Sequence, residues 1–134
     1  MGVRLGRLYF AAQALAVSGW WLLLALRPDL RAWFRLPDTP DATLLAFAPG
    51  DLLLAVLGSA LVAFSRASRA WVRPLAWAVA GAMAYAALYT LTLAYGTAMG
   101  PLGALLMIPA AIGSGLAARA LDHVGPGLSP GAAR

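Results

Sequence analysis

Four long apolar runs, separated by short polar stretches, dominate the pattern of hydrophobic and polar positions along the chain. They cover about residues 8–26, 42–64, 75–95 and 101–118. A bilayer core about 30 Å thick is spanned by roughly 20 apolar residues in an α-helix, and each run comes close to that length. A membrane β-barrel needs alternating polar and apolar residues, which these runs lack. The pattern therefore predicts an all-α polytopic membrane protein, a bundle of four transmembrane helices within residues 1–121.

The connection between the first two runs predicts a short amphipathic helix at the membrane interface. Pro28 suits the first turn of a helix. Arg27, Arg31 and Arg35 recur every four residues, which places them on one face of an α-helix, with apolar residues on the other. Such a helix lies in the headgroup layer. It serves either as a simple anchor or as a lid or site for anionic lipid, and the sequence leaves both open.

Arginine content differs between the two sides of the predicted membrane. With four spans, the N-terminus, the second connection and the C-terminal tail share one side. That side holds seven arginines, namely Arg4, Arg7, Arg66, Arg69, Arg73, Arg119 and Arg134. The opposite side holds three, together with three aspartates. The positive-inside rule then predicts a bacterial inner-membrane protein with both termini in the cytoplasm.

The second connection is basic and contains Arg66, Arg69 and Arg73. We expect these three arginines, like Arg27, Arg31 and Arg35, to contact lipid headgroups. Residues 122–134 are rich in Gly and Pro, which predicts a flexible cytoplasmic tail.

Composition supports the membrane class and narrows the chemistry. Hydrophobic residues make up 62% of the chain and charged residues 11%, against about a quarter charged in soluble domains. The net charge of +5 comes from arginines between apolar runs, so lipid headgroups explain it better than nucleic acid. There is no cysteine and one histidine, and a Ser or Thr nucleophile would need a His or Lys nearby. We therefore expect no metal, no cofactor and no catalysis by this chain alone.

Asp51 is the one charged residue well inside an apolar run, and it directly follows Pro49 and Gly50. Ionisable groups at membrane depth are costly and are candidates for function. The stretch from Asp51 to Phe64 is too short to cross a bilayer, since it measures about 21 Å as a helix. The residues before Pro49 must complete the span, so a kink within the membrane is predicted.

Several polar residues on other helices are predicted to lie level with Asp51. A helix that begins near residue 40 puts Asp51 about 12–16 Å along its axis. Tyr85, Tyr89 and Thr92 share one face of the third helix, and Ser18 lies near that depth in the first. These five residues are the candidate ligand-binding set, as a polar pocket for a lipid-like ligand or a proton. The alternative is structural, with Asp51 capping its helix or bridging two helices.

The order of Asp51, Gly58-Ser59 and the Tyr85/Tyr89 pair resembles a known membrane module. It is similar to the four-helix membrane region that precedes the methyltransferase part in some bacterial proteins of the isoprenylcysteine carboxyl methyltransferase type. The similarity covers about residues 8–120 and implies an accessory or substrate-presenting module. Methyl transfer is not implied, because no segment here matches a methyl-donor site.

The leading functional prediction is an integral membrane accessory, assembly or lipid-binding module. One alternative is a small membrane enzyme on a lipid or isoprenoid substrate, with Asp51 and Tyr85 or Tyr89 as acid–base groups. Another is a channel or carrier formed by oligomerisation. Expected partners are membrane lipids, with a membrane protein partner or a second copy of the chain as further alternatives.

Overall fold

The computed structural model describes residues 2–34, 39–65, 70–97 and 101–122. Throughout these ranges the chain is helical or forms short connections, without a strand. Four stretches are long and apolar enough to cross a membrane, namely Val3–Leu26, Asp41–Phe64, Val72–Tyr95 and Gly103–Leu121. The predicted fold class, an all-α chain with four membrane-length helices, is confirmed. The predictions for Arg35, Arg66, Arg69 and the tail from residue 123 onward lie outside the described residues.

The helices extend beyond the apolar runs. Helix α1 is Val3–Leu26, α2 is Asp41–Leu45, α3 is Ala48–Phe64, α4 is Val72–Thr97 and α5 is Pro101–Leu121. Helix α1 therefore begins five residues before the predicted start at residue 8. Backbone hydrogen bonds do not require apolar side chains, whereas hydropathy detects only the apolar run, so the predicted helix was shorter than the observed one.

Each long helix packs mainly against two others, so the four long helical stretches form a ring in chain order. Helix α1 packs against α3 and α5, and α4 packs against α3 and, most extensively, against α5. The end of the ring that holds the start of α1 and the end of α5 is called the terminal side. The other end is called the opposite side. The largest fully buried side chains include Phe10, Leu61 and Leu121, which place the core toward the terminal side.

Small residues let α1 approach its two neighbours closely. A Cβ atom on Gly6 would lie 3.0 Å from the carbonyl oxygen of Ala117 in α5, and one on Gly58 of α3 would lie 3.4 Å from that of Phe10. Small residues at such contacts allow membrane helices to approach closely and gain van der Waals packing. This packing matters because no hydrophobic effect drives helices together within lipid.

The second membrane-length stretch, Asp41–Phe64, is interrupted near its start. Ala46 and Phe47 form a turn between α2 and α3, and Pro49 lies in the first turn of α3. Because Pro49 has no N–H, the carbonyl of Leu45 lacks its usual donor four residues on. The ladder is closed again by the N–H of Asp51, which donates to Phe47 at 3.1 Å. The interruption thus lies two to three residues before the predicted kink at Pro49.

The segment after α1 is helical, with a tighter pitch than predicted. Pro28–Trp33 forms a 3-10 helix of 6 residues. With three residues per turn, side chains four apart no longer share a face. Arg27 precedes this helix and Arg31 lies within it, and the two side chains have different partners.

Candidate functional site

Asp51 bridges two helices through a tryptophan that sequence reasoning missed. The indole Nε1 of Trp21 in α1 donates to Oδ2 of Asp51 in α3 at 3.0 Å. Trp21 is 8% exposed and Asp51 is half-buried. A buried indole N–H needs an acceptor and a half-buried carboxylate needs donors, so this bond satisfies the indole and part of the capacity of the carboxylate. The contact joins the last third of α1 to the start of α3.

The tyrosines predicted to meet Asp51 lie elsewhere. Tyr85 is 72% exposed and Tyr89 is 41% exposed on the outer face of α4. The Tyr89 ring packs on Phe47, one turn before Asp51, with ring centroids 5.7 Å apart. Within the described ranges, neither tyrosine hydroxyl is hydrogen-bonded to Asp51. Thr92 donates to the carbonyl of Leu88 in its own helix at 2.9 Å.

Ser18 lies in a groove between α1 and α3 instead of beside Asp51. This groove, called the α1–α3 groove below, has a volume of about 360 Å³ and is open to the surroundings of the protein. Its lining consists of Ala11, Ala14, Leu15, Ser18, Ser59, Val62 and Ala63. The Ser59 hydroxyl donates to the carbonyl of Ala55 at 2.8 Å, which is one turn back in α3. The lining is therefore mostly apolar and made of small side chains.

Arg7 lies at the terminal end of the α1–α3 groove. Its Nη2 donates to the carbonyl of Val62, a groove residue, at 3.1 Å. That carbonyl belongs to the last turn of α3, where cations are favoured by the helix dipole and by carbonyls without helical partners. The Nε atom of Arg7 is buried and has no hydrogen-bond partner among the residues that the structure describes.

A second polar cluster joins α1 to α5. The Tyr9 hydroxyl donates to the carbonyl of Ala110 at 2.6 Å. The Ser114 hydroxyl lies 2.8 Å from the same carbonyl and 3.1 Å from Oε1 of Gln13. One hydroxyl hydrogen serves one acceptor fully, so a Gln13 amide turned to donate to Ser114 would satisfy all three groups. The cluster is thus a closed interhelical network.

Tyr9 and Ser114 were not among the residues that the sequence pointed to. A usable signal was present, because Tyr9 and Gln13 share a face of α1 with Gly6. Gly113 is the matching small residue on α5, since a Cβ atom there would overlap the Tyr9 ring.

The arginines of the 3-10 segment are engaged within the chain. Arg31 Nε donates to the carbonyl of Leu24 near the end of α1 at 2.9 Å, and Nη1 lies 3.6 Å from Asp41 at the start of α2. The Arg31 side chain is 19% exposed, and its two contacts link the 3-10 segment to the end of α1 and the start of α2. Arg27 pairs with Asp29 through two hydrogen bonds on the exposed surface, which lowers the pKa of Asp29 below its ordinary value.

Arg73 also has a partner within the protein. Its Nε lies 2.9 Å from Oδ1 of Asp122, and the same oxygen accepts from Nε1 of Trp77 at 2.9 Å. These contacts join the start of α4 to the residue after α5 on the terminal side. Of the predicted headgroup arginines that the structure describes, Arg27, Arg31 and Arg73 therefore each have an acidic partner.

Comparison with known proteins identifies no relative of this chain. No family model, curated protein or solved structure matches the chain. Among the described residues, no group of three or more His, Asp or Glu side chains lies together as a metal site would require.

Proposed function

We propose that the protein is a multi-pass module of a bacterial inner membrane that binds membrane lipid and acts as an accessory or assembly component without catalysing a reaction by itself. The α1–α3 groove carries this proposal. It lies between two membrane-length helices, opens outward and has an apolar lining of small side chains. Its volume of about 360 Å³ falls at the lower end of the range for small-molecule sites, about 300–1,000 Å³.

The distribution of polar groups supports binding over catalysis. Asp51 is paired with Trp21, and Tyr9 and Ser114 share the carbonyl of Ala110. These pairs join helices at separate places and do not converge on one cavity, whereas catalytic groups act on a shared reacting atom. The enzyme alternative requires Asp51 to work with Tyr85 or Tyr89, and the described geometry gives it no support.

The proposed topology places the terminal side in the cytoplasm, because that side carries seven of the ten arginines. The resemblance to the membrane region of isoprenylcysteine carboxyl methyltransferase-type proteins implies an accessory or substrate-presenting module, which agrees with lipid binding. A partner membrane protein or a second copy of the chain is the further component with which such an accessory module would assemble.

Native mass spectrometry of protein extracted gently from lipid nanodiscs tests the proposal. Ala11→Phe fills the α1–α3 groove, whereas Ala12→Phe makes the same change at the next, exposed position outside it. We expect wild type and Ala12→Phe to retain bound lipid, and Ala11→Phe to lose most of it. Equal retention by the two variants would show that the groove is not the lipid site.

A further inference from the structure

We propose that the α1–α3 groove selects an anionic glycerophospholipid, with one acyl chain along the groove and the headgroup phosphate at Arg7. This inference deepens the proposed lipid binding and rests on it. It names the charge class of the lipid and the residue that recognises it.

The position of Arg7 fits the entrance of such a site. Arg7, Ala11 and Ser18 follow one face of α1 at intervals of four and seven residues, so the cation and the groove lie in line. Val62 provides both groove lining and the acceptor for Arg7. Arg7 lies four residues after the first residue of α1, which is about 6 Å along the helix axis. A guanidinium at that level meets headgroups, while the groove continues into the hydrocarbon layer.

Among the residues that the structure describes, few accept hydrogen bonds from Arg7. A guanidinium has five N–H donors and no acceptor. The structure gives Arg7 one acceptor among the described residues, the carbonyl of Val62, and leaves Nε buried without a partner. Asp122, the aspartate of the terminal side, is already paired with Arg73 and Trp77. A phosphate that accepts from the terminal N–H groups would supply the missing counter-charge.

A lipid fits these features better than a second copy of the chain. The groove combines a cation at one end with an apolar lining beyond it, which matches an amphiphile with an anionic head. A transmembrane helix in the same place would need an acidic side chain at the level of Arg7. The described spans carry one aspartate within an apolar run, Asp51, and it lies toward the opposite side, paired with Trp21.

The test measures headgroup preference in nanodiscs with equal amounts of phosphatidylglycerol and phosphatidylcholine. One ionic contact near the surface contributes about 1 kcal/mol, so we expect wild type to retain phosphatidylglycerol about fivefold over phosphatidylcholine. Arg7→Gln should keep its bound lipid but return to the bath ratio. Arg119→Gln removes the same charge from the last turn of α5, outside the groove, and should keep the preference.

Each outcome of this test decides one proposal. Lipid retained by wild type at the bath ratio, or an equal loss of preference in Arg7→Gln and Arg119→Gln, would overturn the anionic-lipid inference and leave lipid binding intact. Absence of retained lipid would overturn the proposed function itself, and a dimer that forms as lipid is lost would point to a second copy as the occupant. Should Arg7→Gln fail to fold, the wild-type preference must still fall at high salt; a salt-independent preference contradicts the inference.

Discussion

At the residue scale, the Trp21–Asp51 contact explains how a charge is tolerated beside a break in the second span. Burying an isolated carboxylate is costly, and a single charge-assisted hydrogen bond offsets part of that cost. The same bond holds the first turn of α3 against α1, where the chain resumes helical structure after Ala46 and Phe47. The structural role expected for Asp51 as a bridge between two helices thus has a specific partner.

We predict that Trp21→Phe destabilises the protein, by about 0.6–1.7 kcal/mol as for other interhelical hydrogen bonds in membranes. Asp51→Asn keeps an oxygen acceptor for the indole and should cost less. Unfolding in mixed micelles with increasing SDS measures both. Trp33→Phe is the control, because Trp33 is 82% exposed in the 3-10 segment. A loss in Trp33→Phe as large as in Trp21→Phe would show that the hydrogen bond has no special role.

Gly113 provides a second prediction at this scale. In Gly113→Ala the new Cβ would collide with the Tyr9 ring, so the ring must shift, which disturbs its hydrogen bond to the carbonyl of Ala110. We expect a loss of about 1–3 kcal/mol, typical of overpacking. Gly115→Ala faces open space and should be neutral or slightly stabilising.

A double-mutant cycle makes the Gly113 prediction specific. In a Tyr9→Ala background the collision is absent, so Gly113→Ala should no longer destabilise the protein. Thermal unfolding in detergent, followed by circular dichroism, gives the four stabilities. Additive losses would mean that Tyr9 and Gly113 do not contact each other.

At the element scale, the break between α2 and α3 depends on Pro49. We predict that Pro49→Ala restores a donor for the carbonyl of Leu45, since one backbone hydrogen bond contributes about 0.5–1.5 kcal/mol. Amides of residues 46–51 should then exchange hydrogen more slowly. Pro74→Ala is the matched control, because Pro74 lies in the first turn of α4, where N–H groups lack helical acceptors. Unchanged exchange in Pro49→Ala would show that the turn at Ala46–Phe47 forms without the proline.

The four long helices could be predicted from the sequence, whereas most of the contacts between them could not. Hydropathy is a local property, so the four spans emerge from single runs, and the charge of Asp51 marks a sensitive position. The partner of Asp51 depends on the rotation of α1 against α3. Ser18 and Trp21 lie three residues apart on α1, and a depth estimate good to one turn does not separate them. Tyr9 and Ser114 meet only because α1 packs against α5, which no single run encodes.

At the scale of the whole molecule, the orientation of the proposed topology makes a prediction. The chain has no cysteine, so single cysteines report on one position each. Ala32→Cys in the 3-10 segment should react with a membrane-impermeant maleimide added to spheroplasts. Ala70→Cys, exposed before α4, should react only after the membrane is permeabilised. The reverse pattern would place the arginine-rich side outside and contradict the proposed orientation.

Photolabelling with a phospholipid that carries a diazirine in its acyl chain tests most directly whether the α1–α3 groove is a lipid site. After illumination in nanodiscs, peptide mapping compares adducts on the groove residues Ala11, Ser18 and Ala63 with adducts on Ala84 and Leu88, exposed positions of α4. A bound acyl chain predicts several-fold more adducts in the groove than on α4. Even labelling of both surfaces would mean that lipid solvates the helices without occupying a site, and would contradict the proposed function.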